Sequence, residues 1–201
     1  WAASDGSSAS NWAATNGAAV QVLVPGAGAD VIISNSALNT APSSTTLGAN
    51  MSIKSLTISD TVNGLGLAAD GYTLTVGTGG IAMNASVPTS TIAAKVALGA
   101  NQTWTNNSAN PLVVSGVISG GSNLTKGGSG TVRLTSADNA FTGSLTIGSG
   151  TMEIGGAGRL GLGNYSGAIN TTGGTLHINT SADQTLSGVV SGSGVVVKGG
   201  A

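Results

Sequence analysis

The sequence predicts an all-β fold: a parallel β-solenoid of about eight coils, each of about 20–25 residues. Three observations predict it. The composition is glycine-rich and almost free of charge, apolar residues alternate with period two, and near-copies of short strands recur 20–24 residues apart.

Composition comes first. Of 201 residues, 34 are Gly and only 6% are charged, against about 25% in an average protein. Aromatics are 3%, so a core built on large rings is excluded, yet 40% of residues are hydrophobic, too many for a disordered linker. The core must use Val, Ile, Leu and Ala. The net charge of −1, with Lys and Arg scattered singly, excludes the basic patch that nucleic-acid binding requires. No apolar run reaches the ~18 residues of a membrane-spanning helix. Cys is absent, which removes disulfides and thiolate metal sites. The first residue is Trp1 and no signal peptide is readable, as expected of a processed product or a piece of a longer chain.

Strands follow from alternation. Short period-2 runs predict strands at 20–24, 30–34, 56–59, 72–76, 112–115, 131–134, 145–147, 151–154, 175–178 and 195–197, separated by Gly, Asn, Ser and Asp clusters suited to corners. Sustained 3.6-residue periodicity is lacking.

Repeats then set the architecture. Gly130-Thr-Val-Arg-Leu134 recurs as Gly150-Thr-Met-Glu-Ile154 and as Gly174-Thr-Leu-His-Ile178. Ser115–Gly120 returns as Ser187–Gly192, and Leu47-Gly-Ala-Asn50 as Leu98-Gly-Ala-Asn101; the offsets of 72 and 51 read as about three and two coils. In the Gly-Thr strands Val132, Leu134, Met152, Ile154, Leu176 and Ile178 are expected to point inward. Arg133, Glu153 and His177 then form an outward ladder with rungs ~5 Å apart. A hairpin sandwich would turn every 8–12 residues without such near-copies.

The run Ser119-Gly-Gly-Ser-Asn-Leu-Thr-Lys-Gly-Gly-Ser-Gly-Thr-Val-Arg-Leu134, with Asn139-Ala-Phe-Thr-Gly-Ser-Leu-Thr-Ile147 and Gly150-Thr-Met152, resembles the autotransporter-associated β-strand repeat. Phe141 stands where that repeat usually has Tyr, and Arg133 where a small polar residue is common. The resemblance is best over 112–154, and a second copy opens in 185–201. It implies a right-handed parallel β-helix in a passenger-type protein, extracellular or at the cell surface of a Gram-negative-type bacterium, and it implies no catalytic residue. Residues 1–46, where the repeat is faint, are expected to be a capping or lead-in segment, and 47–201 the solenoid. Trp1, Trp12 and Trp104 are candidates for capping or contact.

The chemistry of sites gives little. The ladder joins acid, base and imidazole but lacks a nucleophile and a second carboxylate, so a row of solvent-facing ion pairs is the expected role. The acids Asp5, Asp30, Asp60, Asp70, Asp138, Glu153 and Asp183 are too dispersed along the chain for calcium binding or for the paired carboxylates of a polysaccharide-processing enzyme. Gly156-Ala-Gly-Arg-Leu-Gly161 fits the dinucleotide fingerprint, but no helix is predicted to follow it. Asn-x-Ser/Thr sequons and outward Thr pairs such as Thr103 and Thr105 follow from composition. No cofactor, metal or catalytic residue is expected. The expected role is a non-enzymatic stalk or self-assembling fibre whose partners are copies of itself or further repeats. An adhesin for glycans or host surfaces is the alternative, with Trp104, Tyr72 and Tyr165 as candidate contacts, and a β-helical enzyme is the remote one.

Overall fold

A computed structural model describes residues 12–13, 20–21, 24–34 and 45–199. Those residues form an all-β parallel solenoid of about seven turns, with no α-helix. The cross-section has three faces, and the chain visits them in the same order in each turn. β1 (Trp12–Ala13) and β2 (Val20–Gln21) form a separate antiparallel pair. β3 (Asp30–Ile33) stacks in parallel on the second face, with Val31 beside Leu56.

The first two full turns use long strands. β4 (Met51–Ile58) runs along the first face and continues onto the second, and β5 (Gly66–Leu67) lies on the third. β6 (Thr73–Met83) and β7 (Ser90–Ile92) repeat that path. From there the corner between the first two faces breaks the strand. The next two turns are β8 (Lys95–Leu98), β9 (Gln102–Asn106) and β10 (Leu112–Val114), then β11 (Ile118–Ser119), β12 (Leu124–Gly127) and β13 (Thr131–Leu134). In the next turn Phe141 occupies the first face, its neighbours hydrogen-bonded to Ile118 and Gly120, and β14 (Leu145–Ile147) and β15 (Thr151–Gly156) follow. β16 (Asn164–Tyr165), β17 (Ile169–Asn170) and β18 (Thr175–Thr180) come next. The last turn is β19 (Thr185–Leu186), β20 (Val190–Ser191) and β21 (Val195–Lys198).

The sequence makes this column because alternate residues fall inside. On the third face Leu67, Ile92, Val114, Leu134, Ile154 and Ile178 stack in register, and a parallel column runs Leu112, Val132, Met152, Leu176. All are buried. Burying each such side chain contributes roughly 1.5–3 kcal/mol relative to exposure, and rungs ~4.8 Å apart keep like over like. Corners use glycine where a side chain has no room. Gly128 has φ +75°, and a Cβ there would overlap the Asn106 carbonyl oxygen of the turn below.

The described residues make about seven turns, each within the expected 20–25 residues: Leu56 to Ile81 spans 25 and Val114 to Leu134 spans 20. One expectation needs correction: the 72- and 51-residue repeats do not mark whole coils. Ile118 pairs with Val96 on the first face, whereas Val190 pairs with Ile169 on the second. Leu47-Gly-Ala-Asn50 leads into the first face, and Leu98-Gly-Ala-Asn101 leads into the second. The motif is a corner, and different corners reuse it.

Candidate functional site

The outward ladder sits on the third face. Arg133 is registered beside Glu153 and Glu153 beside His177. Arg133 Nε lies 3.4 Å from Glu153 Oε1 without forming a hydrogen bond. Asn179 Nδ2 donates to that same carboxylate oxygen at 3.0 Å. The Glu153 side chain is 15% exposed and that of Arg133 39%, so the pair is partly shielded and held from one side by an amide. Such a half-exposed pair contributes ~0–1 kcal/mol. A general acid–base site needs a second titratable partner aimed at a shared substrate atom; here the one carboxylate is occupied by Arg133 and Asn179.

The other candidate contacts face the core. Trp104 is fully buried on the second face, beside Ile81 and Lys126, and its indole N–H donates to Gln102 Oε1 at 2.8 Å. That corrects its reading as a capping or ligand-contact residue: position 104 has inward parity, and the ring fills the column. Tyr165 is also buried. Its hydroxyl donates to the Gly143 carbonyl and its ring packs against Phe141 at 5.3 Å between centroids. Burial holds the Tyr165 phenol well above the usual tyrosine range. Tyr72 is exposed. Trp1 lies outside the described residues, and of Trp12 only its place in β1 is described.

Composition did not bring one interior group to attention. Lys126 is fully buried, between Trp104 and Ile147 in the second-face column. Its Nζ donates to the carbonyls of Gly127 (2.7 Å), Gly128 (2.9 Å) and Ser149 (3.2 Å), the last in the next turn. Burial pushes the ammonium down to about 8. The signal was present in Leu124-Thr-Lys126, where Lys shares parity with an inward Leu.

The remaining motifs close without a ligand geometry. After Gly156-Ala-Gly-Arg-Leu-Gly161 the chain makes a short 3₁₀ turn at Gly161–Gly163 and enters β16, so no helix N-terminus faces a phosphate. A recess of about 110 Å³ lined by Phe141, Leu162 and Tyr165 is well below the ~300–1,000 Å³ of small-molecule pockets. Among the described residues no group of three or more His, Asp or Glu side chains is placed to hold a metal ion, and no helix is long and apolar enough to cross a membrane. Comparison with known proteins identifies no relative: no family model, curated protein or solved structure matches the chain.

Proposed function

We propose that this chain is a non-enzymatic structural segment of a secreted or surface-displayed bacterial protein, a stalk or self-assembling fibre element. The observation that carries the reading is the unbroken column. Turn after turn repeats the same three registers, and the polar side chains at its corners bond mostly to neighbouring backbone. A solenoid of this kind keeps one cross-section and varies in length, which suits spanning distance. In the last turn Val196 continues the inward column above Leu176 yet stands exposed.

The likeness to the autotransporter-associated repeat supports export and surface display. Its best-matching stretch, 112–154, runs through turns that pair without a register shift. Electron microscopy of the purified chain in neutral buffer tests the reading. Filaments with an axial repeat near one subunit length are the expected result for the fibre. Discrete short rods at every concentration would remove the fibre and leave the stalk, and hydrolysis or elimination activity on a polysaccharide panel would overturn both.

A further inference from the structure

Between β4 and β5 the chain turns from the second face to the third through Asp60-Thr-Val-Asn-Gly64. Asp60 is buried, and its Oδ1 accepts from the N–H groups of Val62 (2.8 Å) and Asn63 (2.9 Å). Its Oδ2 is buried too, with no donor. Thr61, Val62 and Asn63 stand at the surface, and among the described residues no hydrogen bond holds the Asn63 carboxamide. One bond, from Gly64 N–H to the Asp60 carbonyl at 3.1 Å, closes the turn.

Packing requires the glycine. Gly64 has φ +69°, and a Cβ there would lie 2.8 Å from Ser90 Oγ and 3.0 Å from the Pro88 carbonyl oxygen of the next turn. The fold therefore sets a residue without a side chain directly after an exposed asparagine. Its amide nitrogen is the least screened nucleophile a carboxamide can meet. Every other Asn among the described residues precedes a residue with a side chain. Asp70-Gly71 is the nearest comparison, but both Asp70 oxygens accept N–H groups, from Gly48 at 2.7 Å and Tyr72 at 3.2 Å. Those bonds, that of Gly48 first, hold the carboxyl below its ordinary 3.8, and an ionised carboxylate is a poor electrophile.

We propose that Asn63 is a site of spontaneous deamidation, and that the product loosens this early corner while the central turns keep theirs. When the Gly64 bond to Asp60 opens, the Gly64 nitrogen loses its proton and attacks Asn63 Cγ. The Cγ–Nδ2 bond breaks and Nδ2 leaves as ammonia, taking up a proton. Water then opens the five-membered imide. Cleavage of its Cγ–N bond gives aspartate, and cleavage of the original peptide C–N bond gives isoaspartate, in which the backbone runs through the former side chain. Isoaspartate adds a methylene between residue 63 and Gly64, where contact with Pro88 and Ser90 leaves no slack. The Leu65 N–H bond to Ser90 Oγ, 3.0 Å long, is then lost. Either product also sets a carboxylate beside Asp60, whose second oxygen already lacks a donor.

The test ages the folded full chain at pH 8.5 and 37 °C and maps its tryptic peptides by mass spectrometry, with isoaspartate counted by enzymatic methylation. Cleavage after Lys54 and Lys95 separates Asn63 from Asn16-Gly17, the other such pair in the sequence. Asn63 is expected to convert ahead of every other described Asn, mostly to isoaspartate. Hydrogen exchange on the aged chain should then show loss of slow exchange at Val62 and Leu65, with Ile118 and Ser144 unchanged. Asn63→Gln, whose imide ring would be six-membered and slow to close, should keep protection at Val62 and Leu65 through the same incubation. An Asn63 still intact in the folded chain after the free 55–95 peptide has converted would overturn the proposal. So would a converted chain that keeps Leu65 protected, or an equal loss of protection in Asn63→Gln. None of these readouts depends on filaments or rods, so the proposal and the stalk reading fail separately.

Discussion

The early turns and the central turns solve the same three corners with different side chains. In the early turns carboxylates dominate. Asp30 accepts from Ser55 Oγ (2.5 Å) and Lys54 Nζ (2.9 Å), Asp60 from the N–H groups of Val62 and Asn63, and Asp70 from those of Gly48 and Tyr72. In the central turns amides take over. Asn101 accepts from Asn123 N–H and Asn123 from Ser144 N–H, forming a ladder up one corner. Asn106 and Asn139, both fully buried, hold the other two. Asn139 Oδ1 accepts from Ile118 N–H in one turn, and its Nδ2 donates to Ser136 O and to Arg159 O in the next. A carboxylate only accepts, so it satisfies N–H groups. An amide does both and can clamp the turn below and the turn above at once. Asn50, accepting from Thr73 N–H, is an early corner already built the second way.

Backbone regularity follows the same division. β4 and β6 round the first corner as continuous strands, and their register shifts between Ile53 and Ser55. Later turns break at that corner and pair without a shift. The sharpest test converts one solution into the other. Asn139→Asp keeps an acceptor for Ile118 but turns a buried donor into a charged oxygen facing two carbonyls. We expect a loss of about 3–5 kcal/mol, read as a fall in denaturant midpoint at pH 7. A loss below about 1 kcal/mol would mean that the clamp is dispensable.

This division also explains what could be read from sequence. Thr131–Leu134, Thr151–Ile154 and Thr175–Ile178 were legible because they are near-copies on one face, each with two inward apolar residues. Ile118–Ser119, Asn164–Tyr165 and Thr185–Leu186 were not, because two residues carry no alternation. Trp104 and Lys126 were misjudged or passed over because residue type was weighed above parity. Inward parity governs both, and a large ring or a long stem fits an interior position when its polar tip finds a backbone or amide partner.

Lys126 gives the next test, since it ties two central turns with a cation rather than an amide. Its folded value of about 8 lies below the ordinary 10.5, so between those values the unfolded chain binds more protons. Unfolding free energy must therefore rise with pH from about 8. Tyr165, shifted upward by burial, opposes this only once free tyrosine ionises, near 10. Denaturant midpoints at constant ionic strength should climb between pH 7.5 and 9.5, and Lys126→Met should flatten the climb. An unchanged slope in the variant would show that another group is responsible.

The smallest expected effect separates the two regions by acid. The Asp30 carboxyl is held below its ordinary 3.8 by the hydrogen bonds from Ser55 and Lys54, and the Asp70 carboxyl by the backbone N–H of Gly48 and, less strongly, of Tyr72. Both folded values are depressed. Their stabilisation is thus fully present above 3.8 and is lost as pH falls through the folded values below it. Asn101, Asn123 and Asn139 do not titrate. Acidification from pH 5 to 2 should therefore lower amide protection factors at Gly48 and Tyr72 while those at Ile118, Asn123 and Ser144 hold. Both carboxylates are exposed, so the change is local and the column as a whole stays folded. Asp70→Asn retains an acceptor that does not titrate, and should carry the acid resistance of the central corners to the residue 48–72 corner. If protection there still falls with pH in that variant, the acid sensitivity of the early turns has a source other than their carboxylate corners.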